Sequence, residues 1–125
     1  MGSRMALAMI SWRLQEAAKQ AHFRDLNESV AKLRARRDAE DSREVFSCEC
    51  GDPSCDGHVC LSIAEYEDVR AFPVRFLVMA NHENPEVERV VTEGRRFSVI
   101  ETLAGEASKI ALRSNPRRVW PVGGE

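Results

Sequence analysis

The sequence is poor in aromatic residues, with five Phe, two Trp and one Tyr among 125 positions. A core built on large rings is excluded, and Val, Leu, Ile, Ala and a few Phe must fill the interior. A structural metal would help a core of that kind. Long apolar runs are also missing. No stretch approaches the roughly 20 residues a membrane helix requires. The start "MGSRMALAMISW" has one Arg and a short apolar segment that runs straight into a charged helical pattern. It makes a poor signal peptide, so the expectation is a cytoplasmic protein with reduced thiols. Residues 1–5 are assigned no function. Charge of one sign is not in excess overall, since the net charge is −2. Residues 42–108 carry six Lys/Arg against thirteen Asp/Glu, and the flanking segments are mildly basic. An acidic body is not the footprint of a strong nucleic-acid binder.

Cysteine is concentrated rather than scarce. All four cysteines fall in "CECGDPSCDGHVC", residues 48–60, together with His58. Cys48 and Cys50 frame one residue, and Gly51 and Pro53 shape a tight turn before Cys55. Glu49, Asp52 and Asp56 make the stretch polar, which ordinary core packing does not explain. Thiolates are preferred ligands of zinc, which takes four donors in a tetrahedron. A disulfide or redox pair and four simply buried cysteines are the competing readings. Cys48, Cys50 and Cys55 form the core ligand set. The fourth ligand is left among Cys60, His58 and His82. Cys60 and His58 lie on an alternating strand, pointing away from its Val59/Leu61/Ile63 face. His82 ends an apolar strand and precedes a helix cap, a rigid place for a remote ligand. His22 reads as an exposed helix residue.

Around this knot the chain reads as α+β. A long N-terminal helix spans residues 5 to about 40, with apolar stripes Leu7/Ile10/Leu14/Ala17/Ala21 and Phe23/Leu26/Val30/Leu33. It is expected either to pack on the body or to pair with another chain. "VFSCEC" and "HVCLSI" form a hairpin with a cysteine-bearing tip. Ser62 and Glu65 make a capping box, so a helix starts near Ile63 and stops by Pro73. "VRFLVMA" is a buried strand. "NPEVERVVTEG" reads as a helix capped by Asn84 and stopped by Gly94. "RRFSVIET" is a strand, and "AGEASKIALRS" a final helix. The expected whole is a small, mostly antiparallel sheet with a zinc-knuckle hairpin, covered by helices. Its divisions are a 1–41 helical arm, a 42–115 zinc-binding domain and a 116–125 flexible tail, with Trp120 as its candidate docking residue.

The segments "HFRDLNESV", "FSCECGDPSC", "LSIAEYEDVR", "RFLVMANHENPEVERVV", "FSVIETLAGEASKIA" and "SNPRR" resemble the pattern of a group of short uncharacterised bacterial proteins. The resemblance covers most of the chain. It implies that the group's three cysteines and one histidine fall on Cys48, Cys50, Cys55 and His82, with no cysteine required where Cys60 stands. Inserted Ser47, and Asn81 in place of Gly, are departures. The resemblance implies no known activity. Locally, "CECGDPSCDG" is similar to the zinc knuckle that follows the catalytic domain of SET-type lysine methyltransferases, where three cysteines and a remote ligand hold zinc. Only metal geometry carries over, because the order is reversed and the cofactor-binding region is missing.

A closed Cys3His zinc site is structural in character. Three thiolates leave zinc a weak Lewis acid, although Glu49 or Glu83 could serve as a base on paper. The leading expectation is a non-enzymatic zinc-stabilised module for protein–protein interaction or self-association through its first helix. The alternatives are a nucleic-acid-binding regulator using Lys32, Arg34, Arg36, Arg37, Arg117 and Arg118, and a zinc- or thiol-dependent enzyme.

Overall fold

The computed structural model describes the backbone of residues 2–34 and 43–117, and the side chains of residues 13–34 and 43–117. Leu7, Ile10, Arg36, Arg37, Arg118 and Trp120, named above, have side chains outside the described residues. The expected α+β class is observed: a long first helix, two small antiparallel sheets and two further helices. Helix α1 spans Gly2–Arg34. Strands β1 (Arg43–Ser47) and β2 (His58–Ser62) form a two-stranded sheet. Helix α2 follows at Ile63–Arg70. Strands β3 (Arg75–Val78), β4 (Glu88–Glu93) and β5 (Ser98–Thr102) make a second sheet in the order β3-β5-β4. Helix α3 covers Glu106–Arg113. No helix among the described residues is long and apolar enough to cross a membrane.

The β1–β2 register explains which side chains enter the core. Phe46 lies opposite Val59 and Glu44 opposite Leu61, while Val45 faces Cys60 and Ser47 faces His58. Side chains alternate across a strand. Phe46, Val59 and Leu61 are therefore buried, and Val45, His58 and Cys60 are exposed. Helix α2 begins through the expected capping box. Ser62 Oγ accepts from Glu65 N at 3.1 Å, and Ser62 N donates to Glu65 Oε1 at 2.9 Å. This brings Tyr66 and Val69 inward, where the Tyr66 ring stacks on Phe46 with centroids 4.6 Å apart. Leu77, Val99 and Ala31 complete this cluster. Phe76, Val78, Ile100 and Ala111 pack with Cys48 and Cys50 in a second one.

Two sequence expectations are corrected. The segment "NPEVERVVTEG" is not a helix. Its start is helix-like: Asn84 O accepts from Val87 N and Glu88 N at 3.1 and 2.9 Å, and Asn84 Oδ1 accepts from Glu86 N. After one turn the β-branched residues Val90, Val91 and Thr92 enter β4 instead. The helical-looking Val90/Val91 pair comes from a register shift. Val90 pairs with Ile100 and Thr92 with Val99, leaving Val91 as the extra residue of a bulge. Gly94 closes the β4–β5 hairpin rather than a helix, its N–H bonding Phe97 O at 2.9 Å. A Cβ there would stand 2.6 Å from that oxygen.

The second correction concerns α1. Leu14, Leu26 and Leu33 of the expected apolar stripes are exposed. The buried face is Ala17, Gln20, Arg24, Asn27, Glu28 and Ala31, at the same helical spacing but mostly polar. The surface beneath it explains why. It presents backbone carbonyls and carboxylates alongside apolar side chains. Arg24 Nη1 donates to Pro73 O at 2.6 Å, and its Nη2 to Ala111 O at 2.8 Å. The guanidinium lies 4.8 Å from the Phe76 ring centre, and burial lowers its pKa to about 10. Asn27 brackets β1, donating to Ser47 O at 2.8 Å and accepting from Ser47 N at 2.9 Å.

Candidate metal centre

The hairpin tip places three sulfurs on one side. Cys48 N bonds Gly57 O at 2.9 Å, closing the loop, and Cys55 N bonds Asp52 O at 3.1 Å, closing its inner turn. Asp52 Oδ1 accepts from Ser54 N and Oγ at 2.9 and 2.7 Å. Those two bonds hold the Asp52 carboxyl below its usual range. Close approaches restrict both loop glycines. A Cβ on Gly51 would lie 2.8 Å from Glu16 Cβ, and one on Gly57 would lie 2.2 Å from Met79 Sδ.

His82 arrives from a segment remote in sequence, just after β3. After β3 the chain turns at Met79–His82, closed by His82 N to Met79 O at 3.1 Å. Asn81 takes φ 67 within that turn, a left-handed conformation that Gly and Asn tolerate best. Asn81 therefore suits the turn that aims His82. His82 Nδ1 then sits 3.7 Å from Cys48 Sγ and 3.5 Å from Cys55 Sγ. One donor atom from each of Cys48, Cys50, Cys55 and His82 lies within 4.8 Å of the others.

The two sulfur–nitrogen separations, 3.7 and 3.5 Å, fit a tetrahedral ion. With Zn–S near 2.3 Å and Zn–N near 2.05 Å, a tetrahedron requires S···N of about 3.6 Å. The donors are also supported from behind. Met79 N donates to Cys48 Sγ at 3.2 Å and Gly57 N to Cys55 Sγ at 3.5 Å, the outer hydrogen bonds that orient metal thiolates. The sulfurs cannot all ionise by themselves. A hydrogen bond from Cys50 pulls Cys48 below the usual thiol range, and the same bond, with burial, pushes Cys50 up to about 12. A bound dication would let both be thiolates. Cys48, Cys50, Cys55 and His82 thus form a Cys3His group able to hold a metal ion. Cys60 and His58, the other sequence candidates, stay on the solvent face of β2 and outside the group. His22 is exposed on α1.

Glu49 does something that sequence reading did not foresee. Glu49, between the two cysteines, is fully buried. Arg70 grips it with two bonds, Nη1 to Oε2 at 2.8 Å and Nη2 to Oε1 at 2.9 Å. Asn27 Nδ2 and Leu77 N donate to it at 2.8 and 3.0 Å. It is engaged by structure and is not free to act as a general base. The network continues from Arg70 to Tyr66, whose hydroxyl donates to Glu28 Oε2 at 2.8 Å. Arg117 Nε donates to the other Glu28 oxygen at 2.8 Å, and its Nη2 to Glu67 at 2.9 Å. Arg34 lies 3.4 Å from Glu44. Two of the basic residues considered for nucleic-acid contact are therefore ion-paired within the fold.

Helix α1 reaches the knuckle as well. The Lys19 ammonium donates to the carbonyls of Cys50, Asp52 and Cys55. A lysine there also supplies positive charge beside the cluster of thiols. The signal for this contact was absent from the sequence, because a lysine on a helix reads as a solvated residue.

No family model, no curated protein and no solved structure matches this chain.

Proposed function

We propose that the chain is a non-enzymatic module that holds one structural Zn2+ on Cys48, Cys50, Cys55 and His82 and acts by presenting a surface to another protein. The observation that carries the metal assignment is the pair of sulfur–imidazole separations, 3.7 and 3.5 Å. A thiolate-rich donor set favours zinc over magnesium or calcium. Four protein donors leave no open position for water, and Glu49 is bound to Arg70, so a structural role is favoured over a hydrolytic one. Reduced thiols are in keeping with a cytoplasmic setting.

The test is metal content per chain under reducing conditions. One zinc per chain is expected. Cys48→Ser, Cys50→Ser, Cys55→Ser and His82→Ala should each lose most of it, while Cys60→Ser and His58→Ala should keep it. Loss of the ion in Cys60→Ser, or its retention in His82→Ala, would refute the assignment.

The interaction surface we assign is the outward face of α1 with β1. Leu26, Leu33 and Val45 are exposed there, while polar residues of the same helix are buried. Arg34 and Glu44 tie the helix end to the strand that carries Val45. A helix with its apolar side outward is matched by a second copy of itself. Sedimentation should show a concentration-dependent dimer that Leu26→Glu/Leu33→Glu converts to monomer. A monomer at every concentration would rule out self-association.

A further inference from the structure

Three glutamates among the described residues are buried: Glu28, Glu49 and Glu88. Two have a guanidinium partner, Arg117 for Glu28 and Arg70 for Glu49. Glu88 is 6% exposed, and its partners are neutral. Gln20 Nε2 donates to its Oε2, and Asn84 N to its Oε1 at 2.7 Å. Burying a carboxylate without a cation is costly even when it is hydrogen-bonded. Burial raises the Glu88 pKa, and the nearby charges of Glu16 and Glu83 add to the effect.

Glu88 lines a cavity of about 320 Å³ between α1, the 86–88 segment and the start of α3. That volume is near the lower end for small-molecule sites, which run from about 300 Å³ upwards. Its apolar lining includes Leu14, Ala17, Val87, Leu103, Ala107 and Ile110. Leu14 and Leu103 are partly exposed at 42% and 40%. The other charges are largely balanced: Glu86 lies 3.8 Å from Arg13, and Glu106 lies 3.4 Å from Lys109. Glu16 has Arg13 within electrostatic reach, which leaves Glu88 as the buried lining carboxylate with neutral hydrogen-bond partners.

We propose that this cavity binds a small aliphatic ammonium ion, its charged head on Glu88 and its chain against Leu14, Val87, Leu103 and Ile110. The α3 N-terminus, where Gly105 gives no side-chain cap, pulls the other way, towards an anion. That end carries about half a unit charge, and Glu106 in the first turn already offsets it. The Glu88 carboxylate, held in its charged form by an ammonium partner, outweighs it. A hydrated inorganic cation would gain nothing from the apolar walls, whereas an alkyl chain would cover them. None of the four metal-site residues lines the cavity, so this inference does not depend on the zinc reading.

The experiment uses the full chain with its metal bound and titrates n-propyl- to n-hexylammonium ions, followed by NMR. Saturable shifts are expected at the Gln20 side-chain amide and the methyls of Val87, Leu103 and Ile110. Affinity should rise about fourfold per methylene until the cavity is filled. Glu88→Gln keeps an acceptor for Asn84 N but removes the charge, and should weaken binding at least tenfold. Ala107→Phe, which leaves Glu88 in place and occludes the space, should abolish binding and decides the matter if Glu88→Gln does not fold. The proposal is overturned by absence of saturable shifts, by butyrate binding as well as butylammonium, or by unchanged affinity in either folded variant.

Discussion

Removal of the metal from the reduced protein is expected to abolish its cooperative unfolding transition. Structural zinc contributes about 10–16 kcal/mol in small metal-dependent folds, while a domain of this size is stable by only about 5–15 kcal/mol in total. The loop that the ion would organise is also a junction. Cys48 and Cys50 pack against Phe76, Val78 and Ile100, Glu49 N bonds Leu77 O at 2.8 Å, and Lys19 of α1 holds three loop carbonyls. Loss of the ion should therefore loosen both sheets and the helix together. The measurement is thermal unfolding followed by near- and far-ultraviolet circular dichroism, with chelator and reductant present, then with zinc restored. Restoration should recover the transition. An unchanged melting temperature after verified stripping would mean that the sulfurs and imidazole are ordinary core residues.

The second large effect is expected at Glu49. Glu49→Ala should cost about 3–5 kcal/mol, because it strands the buried Arg70 charge. Arg70→Met should cost a similar amount by stranding Glu49. The double variant Glu49→Leu/Arg70→Met should recover a substantial part, since an apolar pair of similar volume removes both unpaired charges. Urea unfolding of zinc-loaded proteins measures these values, and the zinc content of each variant separates ion-pair loss from metal loss. Single variants within 1 kcal/mol of the parent would show that the pair is screened and unimportant. The geometry argues otherwise. Glu49 accepts four hydrogen bonds, from Arg70 twice, Asn27 and Leu77, and its side chain is sealed from water.

What the sequence reveals follows from how local each determinant is. The Cys3His cluster was legible because ligand chemistry dictates residue type and short spacing, and three of its four members lie within eight positions, 48–55. The capping box at Ser62 and Glu65 was legible for the same reason: both bonds close within three residues. His82 could be singled out only by its place at a strand end and by resemblance, since nothing local links it to the cysteines. Where tertiary context decides, reading failed. At residues 84–93 a real helical turn is followed by strand pairing with β5, and the bulge at Val91 imitates a 3.6-residue period. The stripe on α1 misled because the surface it covers offers carbonyls, so Arg24 and Asn27 face inward where leucines were expected. Glu49 was read as loop polarity because its partner Arg70 is distant in sequence and looks like a helix-end cation.

Arg24 links the first helix to the end of α3, bonding Ala111 O and Ser114 Oγ across 87 and 90 positions. This has a consequence for birth on the ribosome. During synthesis from the amino end, α1 emerges long before the carbonyls that will receive this guanidinium. Asn27 meets Ser47 and Glu49 early, but Arg24 must wait, still hydrated, until nearly all of the described chain has left the exit tunnel. Closure of the fold is thus a late event, and a polar waiting face attracts fewer wrong partners in the interval than a greasy one would.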